Sequence, residues 1–168
     1  MSVPRLGVGA MLAAEKRFVG RRRSPYTVSK MAQPNRSSSP VYGYRDLLVW
    51  QRAMDLVVEA YRLTAAFPRH EKYGLVQQVR RAVVSVPSNI AEGQGRDHLG
   101  DYLRQLSVAN GSLMELETQV LIAGRMGYVA KEGEKRILAQ CAEVGKMLSG
   151  LVRALKRRQR VTHLTPDT

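Results

Sequence analysis

Two short runs hold the side chains best suited to chemistry. In Val86-Pro87-Ser88-Asn89-Ile90-Ala91-Glu92-Gly93, polar side chains and a carboxylate stand one helical turn apart and share a face. Such a group would suit nucleophilic or acid–base work if a His, Cys or Lys completed it, and the run contains none. A structural role is the better expectation. Pro87 removes a backbone donor, Ser88 and Asn89 can bond the backbone groups it frees, and Glu92 would end the helix and meet Arg80 or Arg81. In the second run, Gly111-Ser112 precedes Glu115 and Glu117. Two carboxylates two residues apart lie about 200° apart on a helix, so they cannot act as a pair on one face. One of them must lie nearer the core edge; no Glu-x-x-His completes a di-iron pattern, and a salt bridge at a bundle edge is the better expectation. Gly111 costs a helix interior about 1 kcal/mol, which together with Ser112 predicts close approach by another helix near Pro87. The single Cys141 and three histidines show no zinc spacing, so no metal or cofactor, no disulfide and a reducing cytoplasmic setting are expected. The expectation is a protein that is not an enzyme.

Charge is the compositional extreme, at +13. Residues 1–44 carry eight Lys or Arg against Glu15, residues 45–145 thirteen against twelve acids, and residues 146–168 six against Asp167. The body is nearly neutral and both ends are basic, a distribution that suits a polyanionic partner. Arg21, Arg22 and Arg23 in the first segment, and Lys156, Arg157, Arg158 and Arg160 in the last, are the first candidates for phosphate contact. Arg80, Arg81 and Arg104 follow on the body. Basic tails that only maintain solubility are the competing explanation. Membrane insertion is not expected, because no apolar run approaches the ~20 residues of a span. Attachment to a membrane surface through Arg21–Arg23 would lack an amphipathic apolar anchor.

The elements that must carry these residues follow from periodicity. Residues 1–43 are rich in Arg, Ser, Gly and Pro and lack a sustained repeat, which predicts a disordered extension. Its composition also fits a transit peptide or an upstream stretch ahead of a start at Met31. A first helix is expected from near Tyr44, with Leu47, Trp50, Met54, Val57, Tyr61 and Ala65 inward, ending at Phe67 before Pro68. A second runs from about Lys72 to Glu92 on Leu75, Val79, Val83, Val86 and Ile90, kinked near Val84–Val86 by Pro87 and ended by Gly93 and Gly95. Asp97 would cap a third helix whose seam is Tyr102, Leu106, Ala109, Leu113, Leu116, Val120 and Ala123, with Gly127 at its end. A fourth, from about Glu132 to Lys156, repeats the pattern on Ile137, Cys141, Val144, Leu148, Leu151 and Leu155. Four such stripes joined by short loops predict an all-α, antiparallel up-down-up-down four-helix bundle over residues 44–160, with a flexible tail over 161–168. Apolar residues outside the stripes, namely Leu56, Val58, Leu121 and Val152, suggest that copies associate.

Leu48-Val49-Trp50-Gln51-Arg52-Ala53, Phe67-Pro68 with Glu71 and Tyr73-Gly74-Leu75, Gln78 with Arg80-Arg81-Ala82, the Pro87–Gly93 run, and Gly111-Ser112 with Glu115-Leu116-Glu117-Thr118 together carry a resemblance. Over roughly residues 44–155 the chain resembles the four-helix-bundle family named after proteins encoded in intervening sequences of bacterial 23S ribosomal RNA genes. Those proteins in turn resemble the accessory variability protein of diversity-generating retroelements. The resemblance implies a homo-oligomer, a pentameric ring, that binds nucleic acid and a protein partner such as a reverse transcriptase. The long basic N-terminal extension and Asn110 depart from the family pattern. Two functions are therefore weighed: an oligomer that binds RNA or DNA through basic surfaces and tails, and a protein–protein adaptor with no direct nucleic-acid role.

Overall fold

The computed structural model describes residues 43–162, with side chains described to residue 160. Arg21, Arg22, Arg23 and the rest of the extension lie outside the described residues. All regular structure among the described residues is helical: α1 (Leu48–Ala65), α2 (Leu75–Gln94), α3 (Leu99–Arg125) and α4 (Lys131–Thr162), with short 3-10 turns at Tyr44–Asp46 and Arg69–Tyr73. Each helix packs on its neighbours in sequence and α4 closes back on α1, so the four surround one core. Cross-helix pairs fix the senses. Glu59 meets Arg136 while Arg52 meets Glu143, so α1 and α4 run in opposite directions. Arg81 faces Glu115 and Gly93 faces Tyr102, the register of antiparallel α2 and α3. Gly145 faces Leu113 and Gly124 faces Glu134, the same relation between α3 and α4.

The seam expected on α3 is buried throughout, from Tyr102 to Ala123. On α4, Ile137, Cys141, Val144, Leu148 and Leu155 are buried and Leu151 is half-buried. The face expected on α1 needs correction. Val49, Ala53, Leu56, Ala60 and Thr64 point inward, whereas Met54 and Tyr61 are exposed and Trp50 is half-buried with its ring edge-on to Tyr44 at 5.2 Å. Ala53 and Ala60 let α1 lie close to the core, so small residues rather than the largest apolar ones mark its inner face. Leu56, expected on the surface, belongs to the core.

Helix ends also differ from expectation. His98, not Asp97, stands at the N-cap of α3. The Lys72 start expected for α2 gives way to the 3-10 turn, and α2 begins at Leu75, where Glu71 Oε2 accepts the Leu75 amide at 2.9 Å. The other Glu71 oxygen accepts the Tyr128 hydroxyl at 3.2 Å, which ties the α1–α2 connection to the α3–α4 connection. Beneath them Phe67, Val76 and Ala123 form a small second core. At the end of α3, Gly127 adopts φ 72°, Tyr128 N–H donates to Ala123 O at 2.9 Å and Gly127 N–H to Gly124 O at 3.1 Å. That is a Schellman ending, which favours glycine because its left-handed residue carries no Cβ. The last helix continues to Thr162.

Gly93 lies within α2 rather than ending it. A Cβ there would stand 2.6 Å from Tyr102 Cδ2 and 3.1 Å from Gln105 Cβ, so α2 and α3 approach closely only because the side chain is missing. Gly111 is the opposite case: it is exposed and a Cβ would meet nothing within 4 Å, so the close approach expected for it is absent. Gly93→Ala is expected to lower stability by about 1–3 kcal/mol through overpacking, and Gly111→Ala to raise it by about 0.5–1 kcal/mol through helix propensity; thermal and denaturant unfolding check both. A neutral Gly93→Ala would contradict the packing described. Burial, with the Glu117 carboxylate adding to it, pushes the Cys141 thiol up to about 12. The folded state therefore disfavours the thiolate. Stability should hold below the thiol's ordinary pKa of 9.0 and fall as pH rises from there toward 12. Iodoacetamide should label Cys141 only on unfolding, and rapid labelling of the folded chain would refute its burial.

Candidate functional site

Pro87 is buried in an α2 that continues through it, so the run does not interrupt the helix as expected. Ser88 Oγ donates to Val84 O at 2.8 Å. The Asn89 amide donates to Ser85 O at 2.7 Å and to Ser85 Oγ at 2.9 Å. Both side chains thus bond carbonyls in the turn beside the missing donor. Ser85 Oγ also pairs with Ser112 Oγ of α3 at 2.8 Å, which joins the polar network of this turn to the neighbouring helix. Glu92 pairs with Arg96, one turn on, rather than with Arg80 or Arg81. Those arginines lie more than ten residues back on the same helix, more than about 15 Å at 1.5 Å per residue. Glu115 pairs across α2–α3 with Arg81 at 3.7 Å, and Gln119 donates to Glu115 at 2.9 Å. These residues hold backbone and helices together, and no nucleophile–base pair is assembled among them.

The cations separate into distinct places. Arg81 is exposed but faces Glu115, which offsets its charge. Arg80 is half-buried near the start of α2, where its Nε donates to Thr64 Oγ1 at 3.0 Å. Arg104 is exposed on the first part of α3. At the end of α4, Lys156, Arg157 and Arg160 are exposed and Arg158 is half-buried.

Reading the terminus as a charged tail overlooks one member of the α4 group. Arg153, Lys156, Arg157 and Arg160 stand at i, i+3, i+4 and i+7, the spacing of one helix face, and all four are exposed. That spacing is the signal that would have found Arg153. None of the four forms an ion pair among the described residues. Arg153 and Lys156 stand at one end of an open groove of about 390 Å³ between α3 and α4. Leu106, Leu148 and Val152 contribute its apolar surface, and Ser107, Asn110 and Ser149 its neutral polar groups. Asn110 of α3 is therefore part of the groove. The arrangement offers fixed positive charge beside hydroxyl and amide groups, with no carboxylate in the lining.

Among the described residues no group of three or more His, Cys, Asp or Glu is placed to hold a metal, and no helix is long and apolar enough to cross a membrane.

A family model described as 23S rRNA-intervening sequence protein matches residues 45–150. Among solved structures, a protein of unknown function from the S23 ribosomal protein family of Bacteroides thetaiotaomicron is similar, with TM-score 0.57 and 19% identity over 62% of this chain and 98% of that one. At that identity the likeness concerns the fold. No curated protein matches the sequence.

The polar contacts beside Pro87 make a direct prediction. Asn89→Leu removes the donor to Ser85 and is expected to destabilise the chain by about 1–3 kcal/mol. Unchanged thermal stability would mean that this amide does no structural work.

Proposed function

We propose, since the chain belongs to the 23S rRNA-intervening sequence protein family, that it is a non-enzymatic oligomer that holds RNA or DNA by its phosphates along the last turns of α4. The observation that carries this reading is the exposed stripe of Arg153, Lys156, Arg157 and Arg160, which has no carboxylate partner among the described residues. A favourable interaction with the helix dipole accounts for cations in a final turn. It does not account for Arg153, more than two turns before Thr162. Contacts of this kind position a phosphate backbone and read little sequence.

Association of copies would add avidity to each weak contact. Exposed apolar side chains support it: Met54, Val58 and Tyr61 on α1, and Val108, Met114, Leu121 and Ile122 on α3. Those two helices do not pack on each other, so the surfaces are different ones. Two unlike faces suit a head-to-tail contact, which forms a ring where its rotation closes, more than a two-fold dimer. A pentamer is the ring implied by the family resemblance. The same apolar side chains favour a second reading, an adaptor that grips another protein and has no direct nucleic-acid role.

Substituting Gln for Arg153, Lys156, Arg157 and Arg160 together should weaken binding to every single-stranded RNA or DNA sequence. The slope of log affinity against log salt should flatten by about 0.7 for each phosphate that the variant no longer neutralises, while helicity stays unchanged. An unaltered slope would move the binding surface elsewhere on the bundle, and absence of binding by the unsubstituted protein at low salt would leave the adaptor. Light scattering should report a mass several times the 18.8 kDa chain, and a monomer would remove the ring.

A further inference from the structure

At the end of the bundle remote from the α4 stripe, the chain reverses from α1 into α2 around an open pocket of about 430 Å³. Phe67 and Val76 give it an apolar side, and Arg69, Lys72 and Arg80 surround it with no acidic residue in the lining. Arg80 is the fixed member. Its Nε donates to Thr64 Oγ1 at 3.0 Å, and its guanidinium carbon stands 4.6 Å from the centroid of the Tyr61 ring. The Thr64 hydroxyl is itself oriented by donating to Ala60 O at 2.8 Å. These neutral partners hold the guanidinium without neutralising it, and Arg80 forms no ion pair among the described residues. Glu71, the acid closest in sequence to this lining, is engaged by the Leu75 amide and the Tyr128 hydroxyl.

A half-buried cation loses solvation that a carboxylate would normally offset. A planar guanidinium held in one orientation presents its remaining donors as a fork matched to two oxygens of a phosphate. Two further cations, Arg69 and Lys72, stand on long side chains at the rim of the same pocket. We propose that this pocket is a seat for a terminal phosphate group, with the Arg80 fork taking two oxygens and Arg69 and Lys72 balancing the remaining charge. Three cations with no anion in the lining suit a dianionic monoester better than a singly charged internal diester. This inference does not rest on the α4 reading, because it concerns different residues at the opposite end of the molecule.

The test titrates inorganic phosphate into the full chain and follows the arginine Nε–H and backbone amide signals by NMR. Saturable shifts are expected at Arg80 and across residues 64–80. Arg69→Gln with Lys72→Gln, both on exposed side chains, should weaken binding roughly tenfold, whereas Arg153→Gln with Lys156→Gln should leave it unchanged. Binding of a 5′-phosphorylated dinucleotide should be weaker at about pH 5 than at about pH 7.5, as a phosphate monoester loses its second charge near pH 6. A dinucleotide with a 5′-phosphate should reproduce the shifts, and its 5′-hydroxyl counterpart should not. Equal binding by both dinucleotides, shifts confined to the α4 stripe, or an affinity indifferent to Arg69 and Lys72 would each overturn the proposal.

Discussion

The contact between α2 and α3 works only because side chains there are small or already bonded. Gly93 leaves room for Tyr102 and Gln105, and Ser85 meets Ser112 hydroxyl to hydroxyl. Pro87 is buried in the same helix, which runs through it without a break, while Ser88 and Asn89 bond the neighbouring carbonyls of Val84 and Ser85. The rest of the bundle follows from it. With α2 and α3 set antiparallel and close, Tyr102, Leu106, Ala109 and Leu113 project into the space that α1 and α4 must fill. At the loop end, Glu71 and Tyr128 join the two connections. The motif that looked most chemical in the sequence is therefore the one that lets the helices meet.

How much could be read in advance depended on how many apolar faces a helix carries. On α3 the inner seam is regular enough that every expected core position is buried, even though Val108, Met114 and Leu121 remain exposed. On α1 two apolar stripes compete, and the bulkier one, with Met54 and Tyr61, is outside. Periodicity gives the direction of a stripe but does not choose between two, and the small Ala53 and Ala60 win because helix approach rewards low volume. Glycines were equally ambiguous. Gly93 resembles a helix end and is a packing device, while Gly111 resembles a packing device and stands exposed, for which nothing in the structure gives a reason.

The candidate sites divide in the same way. Lys156, Arg157 and Arg160 were legible as a cluster, and helical phase adds Arg153 to them. The groove beside them was not legible, because Asn110 and Ser107 join Arg153 only through the antiparallel register of α3 and α4. Likewise Arg69, Lys72 and Arg80 come together only through the chain reversal between α1 and α2. The near-neutral body conceals one local imbalance, at Arg69, Lys72 and Arg80, and the basic end of α4 supplies the other: acids such as Glu59, Glu92, Glu115 and Glu143 are engaged in pairs within and between helices, whereas Arg80 and the Arg153, Lys156, Arg157 and Arg160 stripe form no ion pair among the described residues. The proposed partner chemistry, a phosphate chain at one end and a terminal phosphate at the other, follows from that imbalance.

On the proposed reading, nucleic acid lies along the α4 stripe and the adjoining groove. Photocrosslinking single-stranded RNA to the full-length protein, then identifying the modified peptides by mass spectrometry, examines it most directly. Crosslinks should concentrate in residues 103–110 and 149–160. Crosslinks confined to α1 and the exposed face of α2, with residues 149–160 unmodified, would contradict it.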